Sequence, residues 1–176
     1  MLKTIAIIVV VLIAGVVILA AMKPDSFSVQ RATTIKAPPE KVFALINDFK
    51  AWGAWSPWEK KDPAMKRTFS ATTSGKGAHY AWDGNKDVGQ GSMTVTESAP
   101  PSKVVLNLDF IKPFEGHNIV EFTLTPQGDA TSVNWLMHGP ANFMSKIMQV
   151  FISMDRMVGK DFETGLANLK AAAEKP

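Results

Sequence analysis

The 176-residue chain has no cysteine, which excludes disulfides, thiolate metal sites and cysteine nucleophiles. Its three histidines, His79, His117 and His138, fall at no metal-ligating spacing, and a metal site needs converging ligands of the right type. His79 alternates opposite Tyr80 and His138 opposite Met137, which are surface positions. Glycine-rich phosphate loops are also lacking, since Gly75-Lys76-Gly77 and Gly89-Gln90-Gly91 read as short hairpin turns, and Ser56 sits in no nucleophile-elbow context. No internal repeat and no low-complexity segment is present. Nothing here indicates catalytic residues, a metal or a cofactor.

Charge is equally uninformative about partners. The formal net charge is +3, from 19 basic and 16 acidic residues. Every acidic residue lies beyond position 23, and setting aside Lys3 and Lys23 leaves 17 basic against 16 acidic, a net near +1. Such a balance is no electrostatic footprint for nucleic acid. The small cluster Lys60, Lys61, Lys66 and Arg67, beside Glu59 and Asp62, reads as a solvated face that could touch anionic lipid if it lay near a membrane.

What the chain does have is a long apolar run. Thr4 to Met22 carries no charge and is almost wholly Ile, Val, Leu and Ala. At about 1.5 Å per residue it would extend roughly 28 Å as a helix, close to the hydrocarbon thickness of a bilayer. The competing reading is a cleaved signal peptide, but those have shorter apolar cores and a small-x-small cleavage site, whereas Leu19-Ala20-Ala21 puts a bulky residue at the first small position. The expectation is a retained single-span anchor over residues 1–23, in a bacterial-type inner membrane, carrying a domain over 24–176. Positive charge is thin on both flanks, so its orientation stays open.

Beyond the run, Lys23-Pro24-Asp25 breaks the helix and a strand starts near Ser26, with Phe27, Val29, Arg31, Thr33 and Ile35 on one side. Ala37-Pro38-Pro39-Glu40 opens a helix with Val42, Phe43, Leu45, Ile46 and Phe49 as its apolar residues. Six more strands follow in alternating patterns: Met65 to Thr72, Ala78 to Asp83, Gly91 to Ala99, Lys103 to Phe110, Gly116 to Thr125, and Thr131 to His138. By this phase Glu97 shares a face with Met93 and Val95, and Arg31 with Val29. Both are therefore candidates for acid or base catalysis, or instead for a buried pair or a head-group contact, against the favoured, blander reading of surface or structural pairing.

The segment Pro140 to Ala173 closes the chain with apolar residues at helical spacing, Phe143, Ile147, Val150, Met154, Val158, Phe162, Leu166 and Leu169. Met144, Met148, Phe151, Ile152 and Met157 fall off that stripe, so its first half must meet apolar surroundings on more than one side. As one helix it would span roughly 50 Å, too long for a small domain, and a break is expected between Phe151 and Gly159. Strand, helices, six strands and a long helix make an α+β layout in which the helix covers the sheet's apolar face.

The run Ile35-Lys36-Ala37-Pro38-Pro39-Glu40-Lys41-Val42-Phe43, continued by Ile46-Asn47-Asp48-Phe49, Trp52 and Trp55-Ser56-Pro57-Trp58, resembles the opening of polyketide cyclase-like members of the START/Bet v 1 (SRPBCC) superfamily. The end, Asp161 to Lys170, is similar to that family's closing helix. The resemblance implies a helix-grip fold, a curved antiparallel sheet of about seven strands wrapped on the long C-terminal helix around an apolar cavity. Its members include lipid carriers, hormone and quinone binders, cyclases and hydrolases, so it implies no single chemistry.

Trp55, Trp58, Tyr80, Trp82, Phe110, Phe122, Trp135, Met144, Met148 and Phe151 are the candidate ligand-binding residues. Aromatics and flexible methionines suit an adaptable apolar lining, though the same residues could simply fill a core. The expected function is a membrane-anchored binding protein for an apolar or amphipathic molecule, lipid or quinone-like. The alternatives are a cyclase or hydrolase acting on such a molecule, and a partner-binding domain without a ligand. Oligomeric state is not legible.

Overall fold

In the computed structural model, which describes residues 1–175, the apolar run forms helix α1, Leu2–Ala21. It is long and apolar enough to cross a membrane, and its side chains are exposed along nearly all of its length, Ala20 being the one buried residue.

The chain then alternates as its patterns require. Strand β1 is Ser26–Ile35. Helix α2, Pro39–Asn47, starts on a proline, as suits a first helical turn. A 3-10 turn, Phe49–Ala54, and a short helix α3, Trp58–Lys61, carry the tryptophan run. Strands β2 (Lys66–Phe69), β3 (His79–Asp83), β4 (Gln90–Ala99), β5 (Lys103–Lys112), β6 (Gly116–Gln127) and β7 (Ala130–Pro140) follow. The seven strands form one antiparallel sheet in the order β1-β7-β6-β5-β4-β3-β2. β1 therefore closes against the last strand, with Val29 opposite Met137 and Arg31 opposite Trp135. The first strand and the C-terminal helix are thereby brought together on the same side of the domain.

The closing segment is two helices. Helix α4 is Phe143–Phe151; it starts with the apolar stripe and not at the segment bound Pro140, because Pro140 belongs to β7 and Asn142 caps the helix by accepting from the Ser145 N–H at 2.8 Å. Ile152 is extended (φ −144°, ψ 129°), and the Ser153 side chain caps the second helix, α5, Met154–Ala173. The break falls at the start of the expected window, which lets α4 leave the sheet while α5 stays on it.

Helix α5 buries Phe162, Leu166 and Leu169 against β1, α2 and the 3-10 turn. Arg31 ties it to β1, donating to Glu163 at 2.8 Å and to Asp155 at 2.7 Å. The structural-pair reading of Arg31 holds. Glu97 differs from expectation: a register shift between Val95 and Glu97 inserts an extra residue into β4, which turns Glu97 out to solvent beside Lys103.

Candidate functional site

A cavity of about 470 Å³ lies between the inner face of the sheet and the α4–α5 segment. Trp52, Val120, Trp135 and Phe162 are among its buried lining residues. Its mouth is marked by exposed lining residues from the β3–β4 turn (Lys86, Asp87), the β5–β6 turn (Lys112 to Glu115), α4 (Met144) and the first turn of α5 (Met157).

Of the residues singled out from sequence, Trp58, Tyr80, Trp82, Phe110, Trp135, Met144 and Met148 line this cavity. The other three do not. Trp55 is fully buried behind the wall, its indole N–H donating to the Leu45 carbonyl at 2.9 Å. Phe122 lies in the same layer, with ring centroids 4.9 Å from Trp135 and 6.0 Å from Trp55. Both point inward, as their strand and loop phases indicate, but a second aromatic layer stands between them and the space. Phe151 ends α4 and turns outward, 72% exposed.

Trp135 is the centre of the wall. It stacks on Phe162 and meets Trp55 and Trp58 edge to face, geometries that add to plain burial. Close stacking on α5 requires Gly165, where a Cβ would come 2.8 Å from Trp135 Cζ3. Trp52, Trp55 and Trp82 place their N–H groups on the carbonyls of Ile46, Leu45 and Val88. The Trp135 N–H is buried without a protein acceptor, a state that costs free energy unless something supplies one.

One polar group on the wall escaped the sequence reading. Glu59, in α3, accepts from the Tyr80 hydroxyl at 2.6 Å through one oxygen and from Arg67 Nε at 2.6 Å through the other. Burial, and then this hydrogen bond, push the Tyr80 phenol well above its ordinary value, and the Glu59 contact raises Arg67. In sequence Glu59 and Arg67 sit within a run of mixed charge, and only the β2–β3 pairing carries Tyr80 to them. Beside them, Lys61 pairs with Asp161 of α5 at 2.7 Å on the cavity rim.

His117 and Asp109 pair at 2.7 Å on the outer face of the sheet, which raises the imidazole above its usual value. They line a wider depression of about 850 Å³ there. That depression is open to solvent, so an apolar molecule in it would keep much of its surface in water. The inner cavity is less open and is lined mainly by apolar and aromatic side chains.

A family model described as polyketide cyclase / dehydrase and lipid transport matches residues 26–174. The chain belongs to this polyketide cyclase/dehydrase and lipid transport family. No curated protein matches it in sequence, and its likeness to solved structures is one of fold. Protein CV1439 from Chromobacterium violaceum has a TM-score of 0.59 at 16% identity, covering 88% of this chain and 100% of that one. The Aha1 dimer from Colwellia psychrerythraea has a TM-score of 0.58 at 19% identity, covering 84% of this chain and 96% of that one. The di-domain ARO/CYC protein BexL of the BE-7585A biosynthetic pathway has a TM-score of 0.61 at 14% identity, covering 91% of this chain and 54% of that one. The helix-grip arrangement expected for the polyketide cyclase-like SRPBCC group is thus the fold of this family member.

Proposed function

We propose that this protein is a membrane-anchored carrier or receptor for an apolar or amphipathic small molecule, lipid or quinone-like, held in the cavity between the sheet and the C-terminal helices. Residues 1–23 are its single-pass anchor and 24–176 its ligand-binding domain, on the surface of what we take to be a bacterial inner membrane. The observation that carries this reading is the cavity itself. About 470 Å³ lies within the range of small-molecule pockets, and its walls are aromatic rings and methionines. The unpartnered Trp135 N–H favours a ligand that brings one acceptor, such as a carbonyl or ether oxygen, into otherwise apolar surroundings.

Binding is favoured over turnover by the state of the polar groups. Both Glu59 oxygens are engaged, and Tyr80, its proton held by burial and by Glu59, is poorly placed to lose it near neutral pH. The anchor reading is supported by the length of α1 and by its packing against α4, since a helix built into the domain's own contacts differs from a leader destined for removal. A tether also keeps the pocket where apolar molecules concentrate.

Native mass spectrometry of the full chain released from phosphatidylcholine nanodiscs tests this. The expected spectrum has one dominant adduct of a discrete apolar molecule at one per chain. A bare chain with only a graded ladder of phosphatidylcholine adducts would refute it.

A further inference from the structure

We propose that the mouth of the cavity is docked on the bilayer surface, with α4 and the β5–β6 hairpin lying in the lipid interface, so that the cavity opens into lipid rather than into water. The proposal rests on the reading of α1 as a membrane span.

Three observations carry it. First, three exposed apolar side chains, Phe114, Met144 and Met157, stand at the mouth among its polar residues, and the elements that carry them expose more on their outer sides, Ile111 on the hairpin and Phe143 and Phe151 on α4. The Asn142 side chain donates to the Glu115 carbonyl at 3.2 Å, which holds hairpin and helix side by side as one surface. Contiguous apolar surface of this kind marks an interaction site.

Second, that surface is continuous with the span. α4 packs on α1, and Ala20, in the last turn of α1, is fully buried, with Gly15 and Val16 half-buried. The connection is fixed from the other side by Asp25, whose carbonyl accepts from the Ala141 N–H at 2.8 Å and whose carboxylate pairs with Lys146. α4 therefore cannot leave the end of α1 without breaking these contacts.

Third, the depth agrees. Gly15 to Ala21 is seven residues, six rises of about 1.5 Å or about 9 Å of helix. An interfacial amphipathic helix buries its apolar face about 5 to 10 Å into the boundary between headgroups and acyl chains. If α1 spans, the segment of it that α4 covers is at that depth, and the only bulk phase that reaches both is lipid. The argument uses apolar area and not charge, so a zwitterionic bilayer suffices.

The absence of cysteine makes the test direct. Single-cysteine variants of the full chain, Phe114→Cys at the mouth, Phe151→Cys on the outward end of α4, Val11→Cys in α1 and Gln127→Cys at the far end of β6, are nitroxide-labelled and reconstituted in phosphatidylcholine vesicles. Collision with oxygen, which concentrates in lipid, is compared with collision with a water-soluble nickel chelate. All four positions are exposed, so the label displaces no core contact. The expected result is an oxygen-to-chelate ratio at 151 and 114 several-fold above that at 127 and approaching that at 11. Ratios at 151 and 114 equal to that at 127, with 11 still lipid-buried, would overturn the docking and leave the anchor standing. Position 11 behaving like 127 would overturn both.

Discussion

Trp135 stacks on Phe162 with ring centroids 4.2 Å apart and planes 13° from parallel. This contact makes one wall of the cavity out of two elements, β7 and α5, and Gly165 sets its spacing. Gly165→Ala must push the indole away from the helix, toward the open side. The expected effect is a loss of about 1 to 3 kcal/mol, the usual cost of overpacking, together with weaker binding of an apolar probe. Urea melts and probe titrations of the full chain measure the two.

Trp135→Ala separates wall from core. Full removal of a core tryptophan costs about 3 to 5 kcal/mol. Trp135 is only 2% exposed, yet one side of it borders the cavity rather than packed protein. A loss near the lower end, about 3 kcal/mol, is expected in urea melts, accompanied by loss of probe binding. A loss at the upper end with binding unchanged would argue for a solid core.

Tyr80 is the sole tyrosine, so absorbance titration of phenolate reports it alone. Burial and the Glu59 hydrogen bond both hold the proton on. The titration should run above the ordinary value near 10, and Glu59→Gln should bring it down only part of the way, because burial, the larger cause, remains. A folded-state value raised above the unfolded one contributes stability that is fully present below about 10 and is lost as pH climbs through the raised value.

His117 offers a second titration on the opposite face. Its pairing with Asp109 raises its value, so its ring protons should titrate in nuclear magnetic resonance spectra above 6.5, the ordinary value for a histidine. Asp109→Asn should move the midpoint down. The small stabilisation from this pair is present at pH below 6.5 and is lost as pH rises through the raised value; since the pair is exposed, salt weakens it.

Much of this architecture is legible in the sequence because period-2 alternation and the 3.6-residue stripe report directly on a one-sided sheet and its covering helix. The break between α4 and α5 follows from length alone. Glu97 is misplaced because an inserted bulge residue reverses alternation without a local sequence mark. Trp55 and Phe122 show a different limit: phase tells inward from outward, but not first layer from second. Phe151 could be placed on α4 but not aimed, since the helix end decides which way it faces. The Glu59–Tyr80–Arg67 cluster joins two segments through strand pairing, and that pairing is not a property of either segment.

The central claim is that the cavity takes an apolar molecule. The most direct measurement is titration of the full chain in phosphatidylcholine nanodiscs with the apolar fluorophore N-phenyl-1-naphthylamine, following energy transfer from tryptophan. Trp52, Trp58, Trp82 and Trp135 line the cavity and no tryptophan lies in α1, so transfer reports the domain. The expected result is saturable transfer at one probe per chain that is abolished by Met148→Trp, which fills the space from α4. Transfer that rises linearly with probe, as partitioning into lipid does, and is the same in wild type and Met148→Trp would contradict it.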